Sequence, residues 1–277
     1  MKAAPISYRR ASTLDEALAA GGETARFLAG GQSLVPMMNL RLTLADIMID
    51  ISNLRELRRC AREGDRIFIG AGVTHAMLED GKIADPSRGY LPHVAGGIAF
   101  RSVRNRGTLG GSLAHADPAA DWPAALLALG ADAVIRGLGG ERRLPLAQFQ
   151  LGLMETALEP GEILLGVSVP VLSCHARWSY QKFCRKSGEF AHSIAAVVCD
   201  PARGLAEVVL GAAGDKPFRL ERASALLLGD EPPAAPQMAL AVDEDVREAT
   251  GLAVSSYEFH LHRTMALRAC ARLREHA

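Results

Sequence analysis

Two glycine-rich segments constrain the fold of this chain more than any other feature. Residues 29–33 read AGGQS and residues 108–112 read TLGGS, so each segment places two adjacent glycines beside a hydroxyl side chain. Each lies where a short predicted strand ends. Glycine adopts backbone conformations closed to other residues and lets a ligand approach the main chain. Consecutive amides in such a turn form a concave site for anions, above all phosphates. The pair predicts a ligand with two linked phosphates, held from both sides.

Composition excludes several other functions. The 277 residues carry 31 basic and 31 acidic side chains, so charge gives no reason to expect a nucleic acid or an anionic membrane as partner. The five cysteines are scattered without a CxxC pair, which excludes a self-contained iron–sulfur or zinc site and favours reduced thiols. No secretory signal or apolar run of membrane-spanning length is visible. We therefore expect a soluble, cytoplasmic protein.

Local patterns predict a mixture of helices and strands. The sequence TLDE at 13–16 is typical of a capping box that opens a helix ending at residues 21–22. A strand at 25–29, a helix at 34–42 and a strand at 47–51 form a β-α-β-like unit around the first glycine segment. Hairpins are expected at 57–60 with 66–71 and at 133–136 with 142–144. Helices are expected at 74–80 and 123–129, and a strand at 163–169.

The sequence after Pro170 has a different pattern. Three strand-length segments, 176–183, 191–199 and 205–211, predict an antiparallel meander. A helix at 219–228 and a proline-rich linker at 229–236 follow. A second capping box, SSYE at 255–258, opens a terminal helix that continues to residue 274.

Neither glycine segment matches a nucleotide-binding motif of the Rossmann or P-loop type. An isolated glycine pair is more often an ordinary turn, but two pairs that each adjoin a hydroxyl favour ligand binding. Asp121 either stabilises the start of a helix or accepts hydrogen bonds from ligand hydroxyls, and its position alone leaves both open. His115 is better explained as a polar loop residue, because no nucleophile is placed to partner it.

Residues 29–42, AGGQSLVPMMNLRL, resemble the first flavin-binding loop of the FAD subunits of molybdenum hydroxylases. This family includes the medium subunit of carbon monoxide dehydrogenase and the equivalent part of xanthine dehydrogenase. Residues 103–112 with DPAAD at 117–121 resemble the second loop, and residues 159–164, 180–191 and 256–263 are similar to later segments. The resemblance covers essentially the whole chain, in order.

The resemblance implies that both loops hold the FAD diphosphate through backbone amides and hydroxyls, and that Asp121 meets ribityl or ribose hydroxyls. Leu164 and Lys182 would lie near the flavin and adenine portions, and Ile98 would pack on the cofactor. Each of the three alone has a plain alternative, which is core packing for Leu164 and Ile98 and a solvated charge for Lys182. Phe190, where relatives often have Tyr, would cover one isoalloxazine face without a phenol hydrogen bond. The expected cofactor-binding residues are Ala29, Gly30, Gly31, Gln32, Ser33, Leu34, Ile98, Thr108, Leu109, Gly110, Gly111, Ser112, Asp117, Asp121, Leu164, Lys182 and Phe190.

The resemblance also implies an α+β fold that is not a Rossmann fold. Two FAD-binding sub-domains, residues 1–57 and 58–172, would enclose the cofactor. Residues 173–277 would form a C-terminal domain with a three-stranded antiparallel sheet and helices.

The implied function is that of an FAD-binding electron-transfer subunit in a three-subunit molybdenum hydroxylase. Electrons would pass from the [2Fe–2S] clusters of a small subunit through FAD to NAD⁺, a quinone or oxygen, while a large subunit holds the molybdopterin. The expected assembly is a dimer of heterotrimers, and no residue of this chain is expected to act as a catalyst or metal ligand. Two other functions stay open: a stand-alone FAD-dependent oxidase or dehydrogenase, and a non-catalytic assembly module that has kept the fold.

Overall fold

The computed structural model describes residues 2–229 and 233–275, with only the backbone for residues 274 and 275. The first sheet has three parallel strands in the order β1-β3-β2. Its elements are β1 (Ser7–Arg10), α1 (Leu14–Ala20), β2 (Ala25–Leu28), α2 (Leu34–Asn39) and β3 (Ile47–Asp50). The predicted β-α-β unit around the first glycine segment is confirmed. Strand β1 was not predicted, because all four of its residues are exposed and none gives an apolar alternation.

Helix α1 begins as its sequence predicts. The Thr13 hydroxyl accepts a hydrogen bond from the Glu16 amide at 3.1 Å. The Glu16 carboxylate in turn accepts one from the Ser12 amide at 2.9 Å. The helix ends at Ala20, before the glycine pair at 21–22. Its buried residues, Ala17 and Leu18, belong to the main hydrophobic core.

The second sheet has five antiparallel strands in the order β4-β5-β10-β6-β7. They are β4 (Cys60–Glu63), β5 (Arg66–Gly70), β6 (Asp132–Gly137), β7 (Gly140–Pro145) and β10 (Ile163–Pro170). The predicted hairpin at 57–71 begins later than expected. Residues 56–58 form a 3₁₀ turn instead, in which Leu57 is buried and its carbonyl accepts a hydrogen bond from the Gly72 amide at 2.6 Å.

Five short helices connect β5 to β6, and a small hairpin precedes β10. The helices are α3 (His75–Glu79), α4 (Tyr90–Gly96), α5 (Arg101–Arg104), α6 (Leu109–His115) and α7 (Asp121–Ala128). The hairpin pairs β8 (Gln150–Gly152) with β9 (Glu155–Thr156). Helix α7 packs against the third sheet with almost every residue buried.

The third sheet is antiparallel, in the order β11-β12-β13-β14. Its strands are β11 (Arg177–Phe183), β12 (Ser193–Asp200), β13 (Leu205–Gly211) and β14 (Phe218–Arg219). The three predicted strands are present, and the two-residue β14 adds a fourth because it is too short to give a sequence pattern. Every residue of β12 is buried, since one face of the sheet joins the main core and the other forms a second core with the C-terminal helices.

The C-terminal helices are α8 (Glu221–Leu227), α9 (Ala235–Thr250) and α10 (Tyr257–Glu275). Helix α9 was not predicted, and it begins inside the expected linker at 229–236, of which residues 230–232 lie outside the described residues. Pro236 stands in its first turn, where the missing proline N–H costs no hydrogen bond. The cap of α10 is Ser256, one residue later than predicted, because its hydroxyl accepts from the Phe259 amide at 3.1 Å.

Candidate functional site

Both glycine segments line one cleft of about 330 Å³. It lies among the ends of β2 and β3, the start of α6 and the start of β10. Six of the residues expected at the cofactor line it: Ala29, Gly30, Thr108, Gly110, Gly111 and Leu164. The structure therefore brings together segments that are about eighty positions apart in the sequence.

The two segments are in direct contact through Gly30. A Cβ atom at Gly30 would lie 2.1 Å from the carbonyl oxygen of Arg106 and 3.0 Å from the Cα of Gly107. Any side chain here would force the two loops apart. Glycine is needed at this position for the approach of two backbones.

The first segment offers a row of free backbone donors. None of the N–H groups of residues 29–34 has a hydrogen-bond acceptor within the part of the chain that the structure describes. Gly31 has a φ of +71°, a left-handed conformation that favours glycine. Ser33 precedes α2 without a side-chain cap, and the Val35 amide, the next along the chain, donates to the Gly31 carbonyl at 3.3 Å. Consecutive unpaired amides of this kind form a site for an anion.

The second segment differs, because most of its amides already donate within the protein. Leu109 and Gly110 donate to the carbonyls of Val73 and Ala71, both at 2.9 Å. The Thr108 hydroxyl caps α6 by accepting from the Gly111 amide at 3.0 Å. A Cβ at Gly110 would lie 2.2 Å from the Ala71 Cβ. This glycine therefore serves the packing of α6 against the end of β5.

His75 packs against the second glycine segment and is hydrogen-bonded to the residue that precedes it. Its amide donates to the Gly107 carbonyl at 3.0 Å, and a Cβ at Gly107 would lie 2.8 Å from its ring. The Trp122 indole N–H donates to His75 Nδ1 at 3.0 Å, so that nitrogen carries no proton. Burial, with a smaller effect from the Arg104 charge, lowers the pKa of His75 to about 4. The imidazole is therefore neutral at physiological pH.

Asp121 and Lys182 lie outside the lining of the cleft, in a buried ion pair. Lys182 Nζ is 2.9 Å from Asp121 Oδ2, and the Tyr180 hydroxyl donates to Asp121 Oδ1 at 2.7 Å. Burial raises the pKa of Asp121, and the Lys182 charge opposes that rise. Both carboxylate oxygens thus have protein partners, and the pair joins α7 to β11.

The other expected residues are also outside the lining of the cleft. Gln32 donates through Nε2 to the Gly30 carbonyl at 3.2 Å, and Asp117 accepts from the Ala119 amide at 2.9 Å in a turn. Ile98 is half-buried against the main core, whereas Phe190 is 62% exposed. Gly31, Leu109 and Ser112 each adjoin a cleft residue in sequence, whereas Ser33 and Leu34 follow Gly30 by three and four positions.

Several polar residues of the cleft were missed by the sequence reasoning. They are Ser52, Asn53, Arg58, Thr74, Asn105 and Arg106. One signal was available for the first two, because they follow the carboxyl end of a parallel strand, where ligands of α/β units bind. Nothing in the sequence placed Arg58 or Thr74 beside the glycine segments, since their position depends on the packing of the second sheet.

Residues 4–172 match the family described as the FAD binding domain in molybdopterin dehydrogenase. The chain belongs to this family. The carbon monoxide dehydrogenase medium chain of Afipia carboxidovorans is 31% identical over 98% of both chains. The nicotine 6-hydroxylase medium subunit of Paenarthrobacter nicotinovorans is 34% identical over 88% of this chain and 87% of its own length.

The fold agrees with this assignment. A solved carbon monoxide dehydrogenase from Hydrogenophaga pseudoflava, which lacks the Mo-pyranopterin moiety, contains a chain that superposes with a TM-score of 0.90. That chain is 32% identical, and the match covers 99% of both. The chain is thus an FAD-binding medium subunit of the molybdenum hydroxylase family, with molybdopterin and iron–sulfur clusters on partner subunits. A large and a small partner are implied, and a stand-alone flavoenzyme is not favoured.

The described residues contain no cluster of three or more histidine, cysteine, aspartate or glutamate side chains suited to a metal ion. No helix among them is long and apolar enough to cross a membrane. Cys60, Cys174, Cys184 and Cys199 form no disulfide within the described residues.

Proposed function

We propose that the cleft between the two glycine segments holds the diphosphate of FAD. The observation that carries this proposal is the row of unpaired amides at residues 29–34, which adjoins a cleft that both segments line. Backbone donors pointing at phosphate oxygens replace water without bringing a second charge into the site. The residues present therefore fit the cofactor that the family implies.

Other residues of the cleft would shape the site around the diphosphate. Thr108 fixes the start of α6, and a Cβ at Gly111 would lie only 2.8 Å from the Thr108 Oγ1 that caps the helix. Ser52 and Asn53 offer polar side chains for ribityl or ribose hydroxyls. The expected contributions of Gln32, Ser33, Leu34, Leu109 and Ser112 follow from their place in the same loops.

The residues outside the cleft have other proposed roles. Asp121 and Lys182 would hold α7 and β11 together and act on the cofactor only through that packing, and the expected contact of Asp121 with hydroxyls stays a prediction. Phe190 is exposed and available to stack on the isoalloxazine, with Ile98 as a second apolar neighbour. Asp117 would fix the turn that leads into α7.

Bound FAD would supply the redox chemistry between the [2Fe–2S] clusters of the small subunit and an acceptor such as NAD⁺, a quinone or oxygen. This chain contributes placement of the cofactor, and none of its residues needs to act as an acid, base or nucleophile. We further propose a dimer of heterotrimers and a cytoplasmic location, the latter supported by an odd number of scattered cysteines without a CxxC pair. Relatives of similar sequence are medium subunits of enzymes named for carbon monoxide and for nicotine, so resemblance to this subunit does not define the substrate.

The experiment is to purify the full chain, with a tag, from cells that also express its partners. An oxidised-flavin absorption band and the recovery of one larger and one smaller companion support the proposal. Gly110→Val and Gly139→Val form a matched pair of variants. Gly110→Val is expected to lose bound FAD, because Gly110 lines the cleft. Gly139→Val is expected to keep it, because a Cβ at Gly139 meets nothing within 4 Å. A colourless chain that also takes up no added FAD would refute the proposal.

A further inference from the structure

The cleft contains two arginines that have no charged partner. Only three of its lining residues carry a formal charge: Arg58, Arg106 and Glu162. Glu162 is neutralised by Arg142, whose Nη2 and Nε lie 2.6 and 2.9 Å from its carboxylate oxygens. No carboxylate of the described chain lies within 4.0 Å of either Arg58 or Arg106 in an ion pair. The cleft therefore has an excess of about two positive charges.

These arginines come from two different walls of the cleft. Arg58 ends the 3₁₀ turn at 56–58, and its Cγ would lie 3.3 Å from a Cβ at Gly72, another lining residue. Arg106 ends the segment between α5 and the second glycine segment. Its backbone is fixed by the contact with Gly30 and by its amide, which donates to the Val103 carbonyl at 3.1 Å. Both residues are thus anchored at the backbone, while their side chains are exposed.

We propose that Arg58 and Arg106 bind the two negatively charged phosphates of the FAD diphosphate, together with the amides of residues 29–34. The proposal rests on the proposed function, because it assigns ionic partners to the same ligand. Amide dipoles supply only partial charges, whereas a diphosphate diester brings two full charges into the cleft. Guanidinium groups match phosphate oxygens with paired hydrogen bonds, which makes Arg suited to this task.

The simpler explanation for an exposed arginine is a solvated charge that contributes nothing to binding. The two explanations differ in salt dependence. A guanidinium that pairs with phosphate gives an affinity that weakens as ionic strength rises, because salt screens exposed charges. A solvated arginine leaves both the affinity and its salt dependence unchanged when it is replaced.

The test uses the full chain freed of flavin and titrated with FAD and with ADP, a probe that has the diphosphate without the flavin. Arg58→Gln and Arg106→Gln are each expected to raise the Kd of both ligands about fivefold. This is the size expected for the loss of an exposed, charge-assisted hydrogen bond to phosphate. Both should flatten the dependence of Kd on KCl. Arg106→Lys keeps the charge and is expected to recover most of the affinity.

Arg55→Gln is the matched control, since this exposed arginine adjoins the same 3₁₀ turn but does not line the cleft. Thermal unfolding checks that each variant is folded. Wild-type affinity and salt dependence for ADP in the folded glutamine variants would overturn this assignment while leaving FAD binding intact. A wild-type chain that binds neither FAD nor ADP would overturn the proposed function as well.

Discussion

At the scale of single residues, two threonines perform the same local task in different surroundings. Thr13 caps α1 and Thr108 caps α6, each by accepting a hydrogen bond from the amide three residues later. The first was predictable because a capping box is a local pattern. The second was not, since two glycines inside a helix disfavour it and α6 is held by contacts with Ala71 and Val73.

Replacing each threonine by alanine separates capping from cofactor binding. Thr13→Ala and Thr108→Ala should each lower the free energy of unfolding by about 1 kcal/mol, the usual value of a lost cap. Only Thr108→Ala should also weaken FAD binding, because only Thr108 lines the cleft. Urea unfolding and FAD titration measure the two effects. Equal FAD affinity in both variants would contradict the role of α6 in the site.

His75 makes stability depend on pH in a defined window. Its pKa is lowered to about 4 in the folded chain, so between pH 6.5 and 4 the unfolded chain binds more protons. The free energy of unfolding therefore falls as the pH falls through this window, with a contribution from His75 of about 3 kcal/mol. His75→Gln should remove that part of the pH dependence, whereas the exposed His175→Gln should not. If the free energy of unfolding depends on pH in the same way for wild type and His75→Gln, the prediction is wrong.

At the scale of elements, the sequence predicted strands and helices with strong periodicity and missed those held by tertiary contacts. The β-α-β unit and the meander were found from apolar segments of strand or helix length, and α10 was found from its capping box. Strand β1 is paired only with β3 and is exposed throughout, and α9 is a mixed polar helix that follows proline-rich sequence. In the site, the two glycine segments were recognised, but the polar residues around Arg58 came together only through the packing of β4 and β5.

Gly110 tests the packing of α6 against the end of β5. Gly110→Ala would place a Cβ 2.2 Å from that of Ala71, so the helix must move away from the sheet. We expect a loss of about 1–3 kcal/mol in the free energy of unfolding, typical of overpacking. Gly139→Ala, in the turn between β6 and β7, should change stability little, because open space surrounds it. Chemical unfolding measures the stability of both variants. Equal stability of the two would contradict the close packing of α6 against the end of β5.

At the scale of the whole molecule, one buried ion pair connects the FAD-binding region to the C-terminal sheet. Asp121 begins α7 and Lys182 lies in β11, and the lysine also donates to the Gly97 carbonyl at 3.4 Å. From the sequence alone, the position of Asp121 at the start of a helix was equally compatible with a ligand contact and with a structural role. Only the three-dimensional neighbours, Tyr180 and Lys182, show where its two oxygens are bonded.

Lys182→Met should destabilise the chain by about 3–5 kcal/mol, because it leaves the Asp121 carboxylate buried without its cation. The double variant Asp121→Asn/Lys182→Met should regain part of that loss, whereas Lys186→Met, an exposed neighbour, should lose almost nothing. Urea unfolding measures these differences. A double variant no more stable than Lys182→Met would argue against direct coupling of the pair.

The central claim is that the amides of residues 29–34 bind the cofactor, and hydrogen–deuterium exchange with and without FAD tests it most directly. Without ligand these amides should exchange fast, since none has an acceptor in the described chain. Saturating FAD should slow their exchange, with no change in α9, none of whose residues lines the cleft. Bound FAD that leaves the exchange of residues 29–34 unaltered would contradict the account.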